Sequence, residues 1–138
     1  MESKKKLRFL AGALFTAILT VIFDIVFHAL LTHPFETPQY FESKFFFAFL
    51  AAIIVFAAMK ILKYRHSTLA FAAGGALFAT FASAFYTYLA PYFNVPSVYP
   101  IILGLEYNFS NFVGWVAHAI CFTAAIFIVT SLFYKPEK

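Results

Sequence analysis

Residues 7–31 read LRFLAGALFTAILTVIFDIVFHALL, an apolar run interrupted by charge only at Arg8 and Asp24, with one histidine, His28. An α-helix needs about 20 such residues to cross the roughly 30 Å hydrocarbon core of a bilayer. This run is long enough, and it predicts a helix from about Leu7 to Leu31 that ends before His33-Pro34, because proline disfavours helix in the residue that precedes it. Met1 to Arg8 followed by apolar residues also resembles the start of a signal peptide. Asp24 and His28 fall late in the run, and no small-x-small cleavage site follows before Pro34. A retained first helix is the expectation.

The rest of the chain repeats the pattern. Further apolar runs predict helices over about 44–62, 68–90 and 111–133, with Pro91 stopping the third and Pro136 following the fourth. Lipid admits only helices or closed barrels, since every backbone polar group must be satisfied internally. The ten-residue alternation of a membrane barrel is absent from these runs. Composition agrees: 63% of the 138 residues are hydrophobic and 12% are charged, and the mean hydropathy is +0.84. A soluble domain carries more charge to cover its surface. The expected fold is therefore all-α, a single polytopic integral membrane four-helix bundle over residues 1–138.

The basic residues orient it. Lys4, Lys5, Lys6 and Arg8 precede or open the first helix, Lys60, Lys63 and Arg65 lie around the second turn, and Lys135 and Lys138 follow the last helix. Only Lys44 falls on the opposite side, together with Glu36, Glu42 and Glu106. The positive-inside rule then places both termini in the cytoplasm, N-in and C-in. The net charge of +4 belongs to this asymmetry and to no soluble basic surface, so nucleic acid is not expected as a partner. One cysteine, Cys121, excludes an internal disulfide.

The outer loop, 91–110, contains Pro96, Pro100 and Gly104, and its apolar stretch 99–107 suits a short interfacial or re-entrant segment. Tyr86, Tyr88, Tyr92, Tyr99, Tyr107 and Trp115 gather near the outer boundary as an aromatic belt. Asn108-Phe109-Ser110 matches a glycosylation sequon. His66 lies in the cytoplasmic turn, where solvent or anionic headgroups surround it.

Small residues mark where helices approach closely in lipid. Gly75, Ala79 and Ser83 recur every fourth residue in the third helix, and Ala117, Cys121 and Ala125 in the fourth. This pattern predicts a central third helix packed on the fourth. The phenylalanines are then expected to face lipid or line an apolar cavity.

Ionisable groups inside the membrane are costly and raise a functional hypothesis by default. Asp24 and His28, four apart, share a face of the first helix, and His118 falls at similar depth in the fourth. Ser83, Tyr86 and Thr87 reach the same layer from the third helix. Three readings follow. The polar residues act as interhelical glue. Alternatively Asp24, His28, Ser83, Thr87 and His118 cap an apolar cavity and hold a lipid headgroup. In the third reading Asp24, His28 and His118, with His33 as a further ligand, bind copper, zinc or iron; Asp-x-x-x-His on one helix resembles the metal-binding helix of C-type subunits of copper membrane monooxygenases. Hydrolase, phosphate-loop and Cys-x-x-Cys motifs are absent.

Leu50-Ala51-Ala52, the basic turn Lys63-Tyr64-Arg65-His66-Ser67 and Gly75-Ala76-Leu77-Phe78-Ala79-Thr80 together resemble the insulin-induced gene (Insig) family of sterol-responsive membrane proteins. Phe27-His28-Ala29, and Val113–Ile128 with Trp115 and Cys121-Phe122, extend the resemblance to the last four of the six family helices. It implies lipid binding and helix-mediated partner association without catalysis. The expected function is thus a small non-catalytic membrane protein that binds lipid or another membrane subunit, in a homo-oligomer or larger complex, through a polar-capped face of helices 1, 3 and 4. The alternatives are a metal-binding subunit of a membrane enzyme and a ligand-free accessory subunit.

Overall fold

The computed structural model describes residues 2–30, 38–62, 67–84 and 107–133, and among these the chain is all-α with four helices and no strand. They are α1 (Glu2–Leu30), α2 (Pro38–Leu62), α3 (Thr68–Ala84) and α4 (Tyr107–Phe133). The stretches Ser3–Phe27, Phe41–Leu62 and Gly114–Phe133 are long and apolar enough to cross a membrane, and Thr68–Ala82 is a shorter apolar helix.

Three helices start before the expected residue. α1 begins at Glu2 rather than Leu7, because Glu, Lys and Arg are good helix formers and propagate the helix beyond its apolar part. α2 begins at Pro38 rather than Lys44, since proline is tolerated in the first helical turn, where no N–H is needed. α4 begins at Tyr107 rather than Asn111; nothing between Gly104 and Gly114 breaks a helix, and Asn108 and Ser110 are polar without being disruptive. The sequon therefore belongs to a helix. Residues 85–90 of the third predicted helix, and residues 91–106 of the outer loop with most of its aromatic belt, lie outside the described residues.

The helices form a ring in which each packs on two others, with α4 closing on α1. Contacts show that neighbours run antiparallel. Phe9 meets Phe56 and Asp24 meets Lys44 between α1 and α2. Phe47 meets Phe81 between α2 and α3. Phe71 meets Phe127 and Phe78 meets His118 between α3 and α4, while Phe15 stacks on Phe133 between α1 and α4. At one end the Arg8 guanidinium donates to the carbonyl oxygen of Phe133. That carbonyl is among those left without a partner at a helix C-terminus, where positive charge is favoured.

No helix is central, contrary to expectation. α3 packs on α2 and α4, as every helix packs on its two neighbours. The small residues do bring α3 and α4 together: a Cβ on Gly75 would stand 2.5 Å from the Ala119 carbonyl oxygen and against the Thr123 hydroxyl. Thr123 in turn donates to the Phe71 carbonyl oxygen at 3.4 Å. The phenylalanines divide. Phe56, Phe71, Phe78 and Phe122 fill the core, whereas Phe15, Phe46 and Phe127 point outward. Thr16, Thr20 and Thr130 are buried, but each hydroxyl donates within its own helix to the carbonyl four residues back.

Replacing Gly75 by Ala should lower stability by about 1–3 kcal/mol, the usual cost of overpacking, because backbone on α4 blocks the methyl group. Gly74→Ala should cost less, since its Cβ meets only the Val55 and Phe122 side chains. Thermal unfolding of both variants in the same detergent measures the difference.

Candidate functional site

Helical periodicity places three ionisable residues in the interior. On α1 the buried positions are Ala13, Thr16, Ala17, Thr20 and Asp24. Their spacing of three and four residues makes one inward stripe, and Asp24 lies on it. On α2 the stripe is Lys44, Ala48, Ala51, Ala52 and Val55; on α4 it is His118, Cys121, Phe122, Ala125, Ile126 and Val129. Each ionisable residue thus occupies a phase of its helix that faces the core. Lys44 is fully buried, and Asp24 and His118 are each 3% exposed.

The antiparallel register then brings them together. Asp24 lies six residues before the end of α1 and Lys44 six after the start of α2, each about 9 Å along its helix at 1.5 Å per residue. The Lys44 ammonium donates to Oδ2 of Asp24. On the other side, Nδ1 of His118 stands 3.3 Å from Oδ1 of Asp24. α3 closes the fourth wall with Phe78, whose ring meets His118 edge to face at 5.9 Å and 75° and stacks on Phe122. The free thiol of Cys121 is buried one turn along α4 from His118. One carboxylate is thus shared by an ammonium and an imidazole from two other helices, against an aromatic wall.

Of the residues expected to form a site, Asp24 and His118 do converge. His28 lies one turn beyond Asp24 on α1 and Ser83 near the end of α3, but their side chains, and Thr87 and His33 altogether, fall outside the described residues. Lys44 of α2 joins Asp24 and His118, so the described polar cluster draws on α1, α2 and α4, with α1 packed directly on α4. Sequence reasoning missed Lys44. Its signal was there: an isolated cation on the acidic side, in phase with Ala48, Ala51 and Ala52, at the same distance from its helix end as the lone Asp24.

Lys44 also bears on the metal reading. Among the described residues no group of three His, Cys, Asp or Glu gathers as a metal would require. A cation on Asp24 would face the Lys44 ammonium at close range, and like charges at that distance repel strongly in a low dielectric. Asp24 and His118 belong, with Lys44, to one buried polar cluster. No family model, curated protein or solved structure matches the chain.

Outside the cluster, the sole tryptophan, Trp115, donates its indole N–H to the Thr80 hydroxyl at 3.3 Å, linking α4 to α3 on the outer surface. Thr80 passes its own hydrogen to the Ala76 carbonyl oxygen at 2.7 Å.

Removing one partner of a buried ion pair costs about 3–5 kcal/mol, because the other charge is stranded, whereas replacing both with apolar residues is often neutral. Lys44→Met should therefore sharply lower the unfolding temperature in detergent. The double variant Asp24→Leu/Lys44→Met should recover most of the loss.

Proposed function

We propose that this chain is a multi-pass integral membrane protein that crosses the bilayer four times with both termini cytoplasmic. It works without catalysis, associating side by side with a partner membrane subunit, a second copy of itself or a different chain. The distribution of lysine and arginine supports the orientation.

The observation that carries the association is the outward face of α3. The other three helices present large side chains outward: Leu10, Leu14, Ile18, Ile22 and Val26 on α1, Phe46, Leu50 and Ile54 on α2, and Ile120, Phe127 and Ile128 on α4. α3 presents Leu69 at its start and beyond it Ala72, Ala73 and Thr80, all exposed, with the half-buried Ala76 between them. Ala72, Ala76 and Thr80 repeat at four-residue spacing beside the stripe used against α4, with Thr80 also accepting the Trp115 indole N–H. Lipid tails gain nothing from small residues, but a second helix does, because its backbone can approach and collect van der Waals contact. Large side chains suit contact with lipid, and small ones suit contact with another helix. The Insig-like resemblance implies the same kind of role, helix-mediated association together with lipid binding.

The interior supports a non-catalytic reading. The ionisable side chains of the cluster engage one another inside the ring. Lipid bound at the outer surface is compatible with the fold.

Two measurements test this reading. In a Cys121→Ser background, Ala76→Cys should cross-link in native membranes and Ile54→Cys should not. Ala72→Leu/Ala76→Leu should abolish the complex seen by native mass spectrometry. A bare monomer in native membranes would sink the proposal, and a monomer retaining a defined lipid would move the function to lipid binding. For orientation, a cysteine introduced at position 137 should react with an impermeant reagent only after the cytoplasmic face is opened.

A further inference from the structure

At the end of the bundle where α1 begins and α2 finishes, the inward stripes run past the apolar residues into lysines. On α1, steps of four lead from the buried Ala17 and Ala13 to the half-buried Phe9 and then to Lys5. On α2 the same steps lead from Ala48 through Ala52 and Phe56 to Lys60. Phe9 and Phe56 meet edge to face across the α1–α2 seam, with ring centroids 5.9 Å apart and planes at 61°. Each lysine follows its phenylalanine by one turn on the same helix face. Lys5 and Lys60 therefore rise from one seam, beyond that ring pair, and both are exposed. Core packing aims two ammonium groups from different helices at one place.

The neighbourhood adds charge of the same sign. Lys4, Lys6 and Arg8 are exposed on the same two turns of α1. Arg8 donates to the Phe133 carbonyl oxygen, and Lys6 holds a contact of its own. The carboxylates whose side chains are described, Asp24 and Glu42, lie toward the other end of these helices; Glu2 opens α1 with its side chain outside the described residues. Ammonium groups closer than the Debye length, about 8 Å at physiological salt, repel through the solvent, and an anion set between them relieves the repulsion. The flanks of the seam are apolar. Leu7, Ile61 and Leu62 are 69%, 78% and 61% exposed, and Leu10 and Leu14 continue outward along α1. A soluble anion gains nothing from such side chains, whereas an acyl chain does.

We propose that this end of the α1–α2 seam binds an anionic phospholipid. Lys5 and Lys60 hold the headgroup phosphate, and the acyl chain lies along Leu7, Leu10 and Leu14. The site is distinct from the interior cluster, and binding makes and breaks no covalent bond. It rests on the proposed crossing of the bilayer, which sets this end in a headgroup layer. It does not depend on which side the termini take or on the association through α3.

The test is native mass spectrometry of the full-length chain in detergent, with phosphatidylglycerol and phosphatidylcholine of identical acyl chains as probes. The unmodified chain should retain phosphatidylglycerol about tenfold more strongly, since each basic residue near an anionic surface contributes about 1 kcal/mol, roughly fivefold. On the same basis Lys5→Gln/Lys60→Gln should weaken phosphatidylglycerol by about twentyfold and leave phosphatidylcholine unchanged. Lys135→Gln/Lys138→Gln removes the same charge from the last residues of the chain and should keep the preference. Equal losses in the two variants would reduce the effect to overall charge and overturn the site. Equal retention of both lipids by the unmodified chain would overturn it without any variant having to fold. Displacement of phosphatidylglycerol by glycerol phosphate, at an ionic strength matched with chloride, would assign the lysines to a soluble anion and refute the lipid. Because the measurement contains no membrane side, a failed orientation test leaves this result standing, and the reverse holds too.

Discussion

A carboxylate carried into the interior of an apolar bundle must meet a cation, and here Asp24 meets Lys44. Isolated, either charge would be expelled or neutralised at a cost of several kcal/mol. Together they constrain more than their own positions. α1 and α2 are set in one register, since sliding either helix by a turn strands both charges. Because Oδ1 of the same carboxylate faces His118, α4 is set against α1 in the same step. Three of the four helices are thus indexed by one side chain.

The fourth helix is placed by shape. Gly74 and Gly75 allow α3 to approach Val55, Phe122 and the Ala119 backbone so closely that a methyl group would not fit. Phe78, held by this packing, turns its ring against His118 and stacks on Phe122. Among the described residues, α3 meets the polar layer with an aromatic ring and no polar group. Buried threonines add no rival polar partners, because each spends its hydroxyl hydrogen on its own helix. Polarity in the core is concentrated at one level, and the functional questions concentrate there too. The outward faces follow a separate logic: large on α1, α2 and α4, and small on α3 beyond Leu69.

Much of this was legible before any coordinates. Four apolar runs give four helices, and Asp24 and His118 drew attention because charge is rare in such runs. The starts of α1, α2 and α4 were misplaced by several residues for one reason. Hydropathy marks where a helix is apolar, and a helix continues through polar residues until something breaks it. Lys44 was overlooked for the same reason. Assigned to the flank of an apolar run, it was counted with the loops, although its spacing from Ala48, Ala51 and Ala52 already aimed it inward. The choice between lipid-facing and cavity-lining phenylalanines was likewise too coarse, since Phe71 and Phe78 fill a core while Phe15 and Phe46 face away from it.

By itself the sequence determined the helical class, the number of helices, the asymmetry of basic charge and which residues share a face. All are local properties, set by residue type and by the 3.6-residue period. Only the tertiary structure decided which faces meet. It closed α4 on α1 rather than placing α3 at the centre, and it brought Lys44 of α2 into the cluster of Asp24 and His118. The reason is that ring order and helix register depend on pairwise fits between distant segments. A carboxylate with its ammonium and a glycine under a facing backbone are such fits, and neither exists until both partners are in place.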